Sequence, residues 1–155
     1  QPKILICDEA VAALDGSVRE QVLELLRDIQ RESKLSIIFI SHDLAVVRSM
    51  SHRVAVMYLG RPIEVAATIN LFTAPRHPYT RALLVASPVP APLVAPVAAP
   101  LKGEIPSSLA PPPGCVFHPR CLFAKPVCAQ ERPELRSAGN SRTACHRAAE
   151  IDLAG

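Results

Sequence analysis

Ile4-Leu5-Ile6-Cys7-Asp8-Glu9 runs four apolar residues straight into two adjacent carboxylates. A short uninterrupted apolar run reads as a strand buried on both faces, as in a parallel sheet. The acids then lie where the strand emerges, at its carboxyl end. In open α/β sheets ligands bind at that edge. Asp8 offers a hard oxygen for Mg²⁺, and Glu9 can orient or deprotonate a water. Phosphoryl transfer to water needs those two roles side by side. Two acids that merely cap a strand-to-helix turn are the plainer alternative, and a motif this short does not decide between them.

Downstream the chain alternates. Ala10 to Gly16 is a turn, and Ser17 with Glu20 has capping-box spacing. Val18, Val22, Leu25, Leu26 and Ile29 then form one apolar stripe, which predicts a helix over 18–33 packed on a sheet. Leu35 to Ile40 is a second buried strand, ended by Ser41-His42-Asp43. A short helix over 44–50 and a strand over 53–59 follow. Gly60-Arg61-Pro62 turns that strand into a hairpin with Ile63-Glu64-Val65. Two short helices, 68–72 and 79–86, flank Pro75-Arg76-His77-Pro78. Strand, helix, strand, helix, strand is the α/β alternation.

Composition excludes several classes. The chain has 155 residues and a formal charge of +3, from 17 basic and 14 acidic residues, too mild to argue for nucleic acid. It has no Trp, which weakens base stacking further. The uncharged window from Ala82 to Leu101 is long enough to cross a bilayer, but Pro88, Pro90, Pro92, Pro96 and Pro100 interrupt it. Lipid offers nothing to satisfy the freed carbonyls, so 87–113 reads as an extended Pro-rich linker without fixed structure. A buried strand opening almost at Gln1 makes a fragment, or a product lacking its first half, the expectation for this chain.

Asp8-Glu9, Ala13-Leu14-Asp15 and Ser41-His42-Asp43 share an order and a spacing. Together they resemble the second half of an ATP-binding-cassette ATPase. The resemblance makes the acidic strand the Walker B segment, the Leu-Asp turn the D-loop and His42 the switch histidine. It implies that Asp8 helps hold Mg²⁺, that Asp15 belongs to the nucleotide site, that Glu9 polarises the attacking water and that His42 contacts the γ-phosphate of ATP. A neutral imidazole can donate one N–H to a phosphate oxygen while its other nitrogen stays free. Ile38 to Val47 and Pro75 to Leu84, with His77-Pro78-Tyr79, resemble the ATPase subunits of bacterial oligopeptide/dipeptide importers. Cys7 is more like the second of the two ATPases such importers use. Three departures stand out: Ala10 where the family has Pro, Ala12 where Ser is usual, and Gly16 where an apolar residue is usual. The chain also contains no G-x-x-x-x-G-K-[ST] loop and no Leu-Ser-Gly-Gly signature, so alone it is expected to be inactive.

Cys115, Cys121, Cys128 and Cys145 form a second candidate site, spaced C-x5-C-x6-C-x16-C. Four thiolates can close a tetrahedral zinc site or ligate a 4Fe-4S cluster. Structural zinc prefers tighter pairs, and in the importer family the matching cysteines are associated with a four-iron cluster. Unligated thiols and disulfides are the remaining alternatives. Cys7, in a buried strand, is expected to behave as a small apolar residue. His77 and Tyr79 read as capping and packing a short helix rather than as catalytic.

The expected organisation follows. Residues 1–66 are the C-terminal part of an α/β, P-loop-type nucleotide-binding domain and 67–86 the transporter C-terminal extension. Residues 87–113 are the Pro-rich linker, 114–147 the Cys-rich module and 148–155 a tail. The resemblance implies an ATPase subunit that couples ATP hydrolysis to peptide uptake. Its partners would be a second ATPase subunit, transmembrane permease subunits and, indirectly, a peptide-binding protein, at the cytoplasmic face of the bacterial inner membrane. The competing reading is a truncated, non-catalytic cassette whose Cys-rich module binds metal or a partner.

Overall fold

The computed structural model describes residues 2–87, 101, 103–151 and 153. The chain divides into two compact units, Gln1–Ser51 and His52–Gly155. That break precedes the hairpin, which therefore lies in the second unit and not with the first strands as the 1–66 grouping expects. Most of the Pro-rich linker, 88–100 and 102, lies outside the described residues. Among the described residues, no helix is long and apolar enough to cross a membrane.

The first unit is a strand–helix–strand–helix run: β1 (Ile4–Asp8), α1 (Gly16–Ser33), β2 (Ser36–Ile40) and α2 (Leu44–Met50). β1 and β2 pair in parallel, in register from Ile4↔Ser36 to Asp8↔Ile40. Val11, Leu23 and Val46 form the core, with Leu14, Val22, Phe39 and Met50 packed against it. Two expectations are corrected here. The strands are not buried on both faces. Side chains alternate across a strand, so Cys7 and Phe39 face the core while Ile4, Ile6, Ile38 and Ile40 stand on the opposite face, 47–64% exposed. A single helical layer covers one face only. The α1 cap also moves: Asp15, not Ser17, is the N-cap, its Oδ1 accepting from the Val18 N–H at 3.0 Å and from the Ser17 hydroxyl at 3.2 Å. The buried stripe centres on Leu23, leaving Val18 and Leu25 exposed.

The second unit is an antiparallel four-stranded sheet with helices and loops on it, in the order β3 (Arg53–Tyr58), β4 (Arg61–Ala67), β6 (Ser141–Thr143), β5 (Arg136–Ala138). The hairpin turn is Leu59-Gly60, one residue earlier than its Gly-Arg-Pro signal suggests. Both residues have positive φ, +46° and +71°, the pattern of a type I′ turn that matches strand twist. Pro62 then falls inside β4, at a bulge: Met57 pairs with Pro62 and Val56 with Glu64, leaving Ile63 as the extra residue. The freed Ile63 carbonyl accepts from the Ala144 N–H at 2.8 Å and the Thr143 hydroxyl at 3.2 Å. The Cys-rich segment is therefore no separate module. Its β5–β6 hairpin completes the sheet begun by β3 and β4.

α3 (Thr68–Thr73) and α4 (Pro78–Ala86) lie where the sequence places them. Pro78 occupies the first helical turn of α4 and His77 is its N-cap, Nδ1 accepting from the Tyr79 N–H at 3.1 Å. Glu64 on β4 is wholly buried. Its Oε1 accepts from the Arg76 N–H at 2.7 Å and its Oε2 from the His77 N–H at 2.9 Å. The buried Thr80 hydroxyl faces the same carboxylate short of full hydrogen-bond geometry, yet still favours its charged form. Phe117 closes the arrangement, its ring centroid 5.3 Å from Tyr58 and Tyr79 and 5.7 Å from His77.

Burial holds His77 neutral, its pKa pushed down to about 3 from 6.5. A depressed histidine pKa contributes stability that is complete above 6.5 and is lost as pH falls towards the folded value, at about 1.4 kcal/mol per pH unit. Burial raises the Glu64 pKa, which acts oppositely, stabilising the fold as pH falls through that raised value. His77→Asn keeps a cap acceptor for Tyr79 and removes the titration. The stability gap between the wild-type chain and His77→Asn, from urea midpoints, should shrink between about pH 7 and pH 5. A gap that stays constant over that range would mean that His77 is not held neutral.

Candidate functional site

The parallel register brings the expected residues of the first unit to one strand edge. β1 ends at Asp8, whose pairing partner Ile40 ends β2. The Glu9 N–H still donates to the Ile40 carbonyl at 3.0 Å, but Glu9 itself turns into the left-handed region, φ +48°. A non-glycine residue there is strained, and such strain gathers at functional sites. His42 sits two residues past β2. Its Nδ1 lies 3.0 Å from Glu9 Oε1 and 2.9 Å from Oε2, so the two side chains meet across 33 residues of sequence. Both are exposed to solvent. The Glu9 carboxylate raises the His42 pKa above its ordinary value, first through the hydrogen bond and then through its charge. Asp8 stands exposed beside them at the strand end.

Asp15 does not join this pair; its carboxylate caps α1. A residue without a motif links the two loops instead. Arg19 donates from Nη2 to the Leu14 carbonyl and from Nη1 to Asp43 Oδ2, each at 3.1 Å. Asp43 in turn caps α2 through the Ala45 and Val46 amides, and Ser41 Oγ accepts from the Asp43 N–H. One guanidinium thus ties the Ala13-Leu14-Asp15 turn to the loop that carries His42. Nothing in the sequence marks Arg19, since an arginine in the first turns of a helix reads as a solvated surface charge.

The Glu9–His42 pair has a titration signature. His42 should titrate above the ordinary 6.5 in proton NMR of the chain, and Glu9→Gln should bring it back towards that value. An unmoved His42 resonance in Glu9→Gln would remove the pairing.

In the second unit, Cys115, Cys121, Cys128 and Cys145 all line one small cavity of about 20 Å³, together with His77 and Phe117. All four are free thiols. Among the described residues, no group of three or more His, Cys, Asp or Glu side chains is drawn in to metal-binding positions. Cys128 Sγ accepts from the Lys125 N–H at 3.5 Å, and the main-chain amides of Phe117, His118, Phe123 and Arg147 act to lower the thiol pKa values of Cys115, Cys121 and Cys145. Burial dominates and raises the thiol pKa values of Cys115 and Cys121, and that of Cys145 to about 11. Gly114 makes the approach of Cys115 to Cys128 possible. At φ +66°, a Cβ on residue 114 would lie 2.4 Å from the Cys128 carbonyl oxygen, the group that accepts the Cys115 N–H at 2.7 Å.

Comparison with known proteins places both regions in one context. Residues 63–128 match the family model of the oligopeptide/dipeptide transporter C-terminal region. The chain is 53% identical over 147 residues to the Probable peptide ABC transporter ATP-binding protein y4tS of Sinorhizobium fredii, covering 94% of this chain and 42% of that protein. It is 47% identical over 151 residues to the Di/tripeptide transport ATP-binding protein DppF of Pseudomonas aeruginosa, covering 97% and 47%. It is 48% identical over 147 residues to the Oligopeptide transport ATP-binding protein OppF of Salmonella typhimurium, covering 94% and 44%. The chain thus spans less than half the length of these curated relatives. Within that span it is similar, over nearly its whole length, to ATP-binding proteins of peptide ABC transporters, and its residues 63–128 resemble the oligopeptide/dipeptide transporter C-terminal region.

Proposed function

We propose that this chain is the part of a peptide-importer ATP-binding subunit that supplies the water-activating end of the ATP site. The observation that carries this reading is the Glu9–His42 pair beside Asp8 at the carboxyl end of β1. In the longer protein the site takes ATP with Mg²⁺. The exposed Asp8 carboxylate has the oxygen chemistry that a hard cation requires. Bound Mg²⁺ supplies charge neutralisation on the phosphates. Glu9 accepts a proton from the attacking water, while His42 fixes the carboxylate's orientation through Nδ1 and leaves Nε2 for the terminal phosphate. The Arg19 bridge holds the two loops in register. The longer protein pairs with a second ATP-binding subunit and with permease subunits, at the cytoplasmic face of the membrane, to drive uptake of short peptides.

The test is made in a protein of the relatives' full length. Glu9→Gln should leave ATP binding intact and lower turnover by roughly 10²–10⁴-fold, the range expected for a general base. A wild-type rate in Glu9→Gln would overturn the assignment.

The thiol cavity supports a second element of the reading: Cys115, Cys121, Cys128 and Cys145 hold a metal centre. The donor set is all sulfur, and the four cysteines line one cavity. Buried thiols with raised pKa values release protons on ligation, so metal binding should strengthen with rising pH. The resemblance favours a 4Fe-4S cluster, with zinc as the alternative. Anaerobically purified protein should contain iron and sulfide and absorb visible light, and Cys121→Ser should lose both. Stoichiometric zinc in colourless protein would replace the cluster by zinc. Metal-free protein whose proteolysis is unchanged by Cys121→Ser would remove the site.

A further inference from the structure

A cleft of about 410 Å³ opens beside the loop that precedes α4 and the segment leading into the β5–β6 hairpin. Three guanidiniums line it, Arg76, Arg132 and Arg136, with two carboxylates, Glu131 and Glu134. Arg136 is spent on Glu134, donating from Nε at 3.3 Å and from Nη2 at 3.2 Å. Among the described residues, Arg76 and Arg132 have no ion-pair partner. A mobile surface arginine would need no partner, but Arg76 is built in. Its backbone N–H is fixed by the buried Glu64 at 2.7 Å. Its guanidinium is seated against Gly139, where a Cβ would lie 3.2 Å from Nη2 and 3.5 Å from Cζ. Glycine at 139, whose φ of +56° suits the hairpin turn, therefore also leaves room for that guanidinium.

We propose that this cleft binds a phosphate-type oxyanion, held by Arg76 and Arg132. A guanidinium presents its N–H donors as a planar fork, and one fork satisfies a carboxylate. Two unpaired forks on one cleft suit an anion with more oxygens and more charge. A phosphate monoester has three free oxygens and about −1.5 to −2 charge at pH 7. Glu131 is the opposing charge. Its main-chain carbonyl is held by His146 Nε2 at 2.8 Å, so its backbone stays at the cleft, and its carboxylate weakens anion binding. The phosphate can belong to a small soluble ligand or to a lipid headgroup; the recognition chemistry is the same. The inference is independent of the ATP site, which lies in the other unit.

The experiment titrates the whole chain with inorganic phosphate at low ionic strength, by calorimetry, against chloride of equal ionic strength. Saturable binding is expected with phosphate and not with chloride. Arg132→Ala should weaken it roughly tenfold, about one charge-assisted contact. Arg76→Lys, which keeps the charge and loses the fork, should weaken it too, and Glu131→Gln should strengthen it. Arg132 is exposed, so an unchanged unfolding midpoint in Arg132→Ala separates binding from folding. Co-sedimentation with phosphatidylcholine vesicles containing phosphatidic acid, lost in Arg132→Ala, would assign the phosphate to a lipid. Phosphate binding without co-sedimentation would assign it to a soluble ligand. No saturable phosphate binding, or an affinity unchanged in the Arg76→Lys, Arg132→Ala double variant, would overturn the proposal.

Discussion

Glu64 carries a carboxylate with no solvent exposure and no cationic partner among the described residues. A buried charge of that kind is expensive unless hydrogen bonds replace its water. Here they come from the Arg76 and His77 amides, with the Ser141 and Thr80 hydroxyls also favouring the charged form. The two amides belong to the loop before α4. One side chain on β4 therefore fixes the start of a helix that is remote in sequence. The arrangement also pins the sheet. Side chains alternate along β4, so a one-residue slip would turn Glu64 away from its donors. The bulge at Pro62 sets the register in which it faces inwards.

The thiol cavity inherits its position from this clasp. His77, whose amide is held by Glu64, lies against Phe117, and Phe117 is two residues from Cys115. Tyr58 and Tyr79 pack on the same ring. The His77-Pro78-Tyr79 tract thus works through packing: Pro78 starts the helix, His77 caps it, and the two rings receive Phe117. Burial keeps that histidine neutral.

The sequence was most readable where motif order follows chain order. The Asp8-Glu9 and Ser41-His42-Asp43 strand ends could be placed on one edge because parallel pairing of β1 with β2 is the natural outcome of a strand–helix–strand run. What escaped is physically understandable. Asp15 and Ser17 both have N-cap chemistry, and only backbone geometry selects Asp15. An apolar strand announces that it will be covered, not by what, so the exposed face of Ile4, Ile6, Ile38 and Ile40 could not be foreseen. Leu59 takes a left-handed conformation that leucine disfavours, so the turn signal pointed one residue late. Glu64 reads as the solvent side of a strand, because its donors are mostly main-chain groups that composition does not reveal. Arg19 and Arg76 are hidden for the opposite reason: arginine is expected on every surface.

The long gap between Cys128 and Cys145 changes meaning once the fold is known. By spacing alone it is a loop that ligation would have to close, which suggests a segment dependent on metal for its structure. In the fold the gap contains β5 and β6, and β6 pairs with β4 from Glu64↔Thr143 to Ala66↔Ser141. Cys145 is therefore delivered to the other thiols by the sheet, two residues after a buried strand. Cys115 and Cys128 are brought together by the Gly114 approach and a main-chain hydrogen bond. Backbone contacts define the cavity. A metal centre would then act on a preformed pocket, offsetting the cost of four crowded, desolvated sulfurs rather than organising the chain around itself. That division of labour explains how a segment with such loose cysteine spacing can hold its thiols around one point.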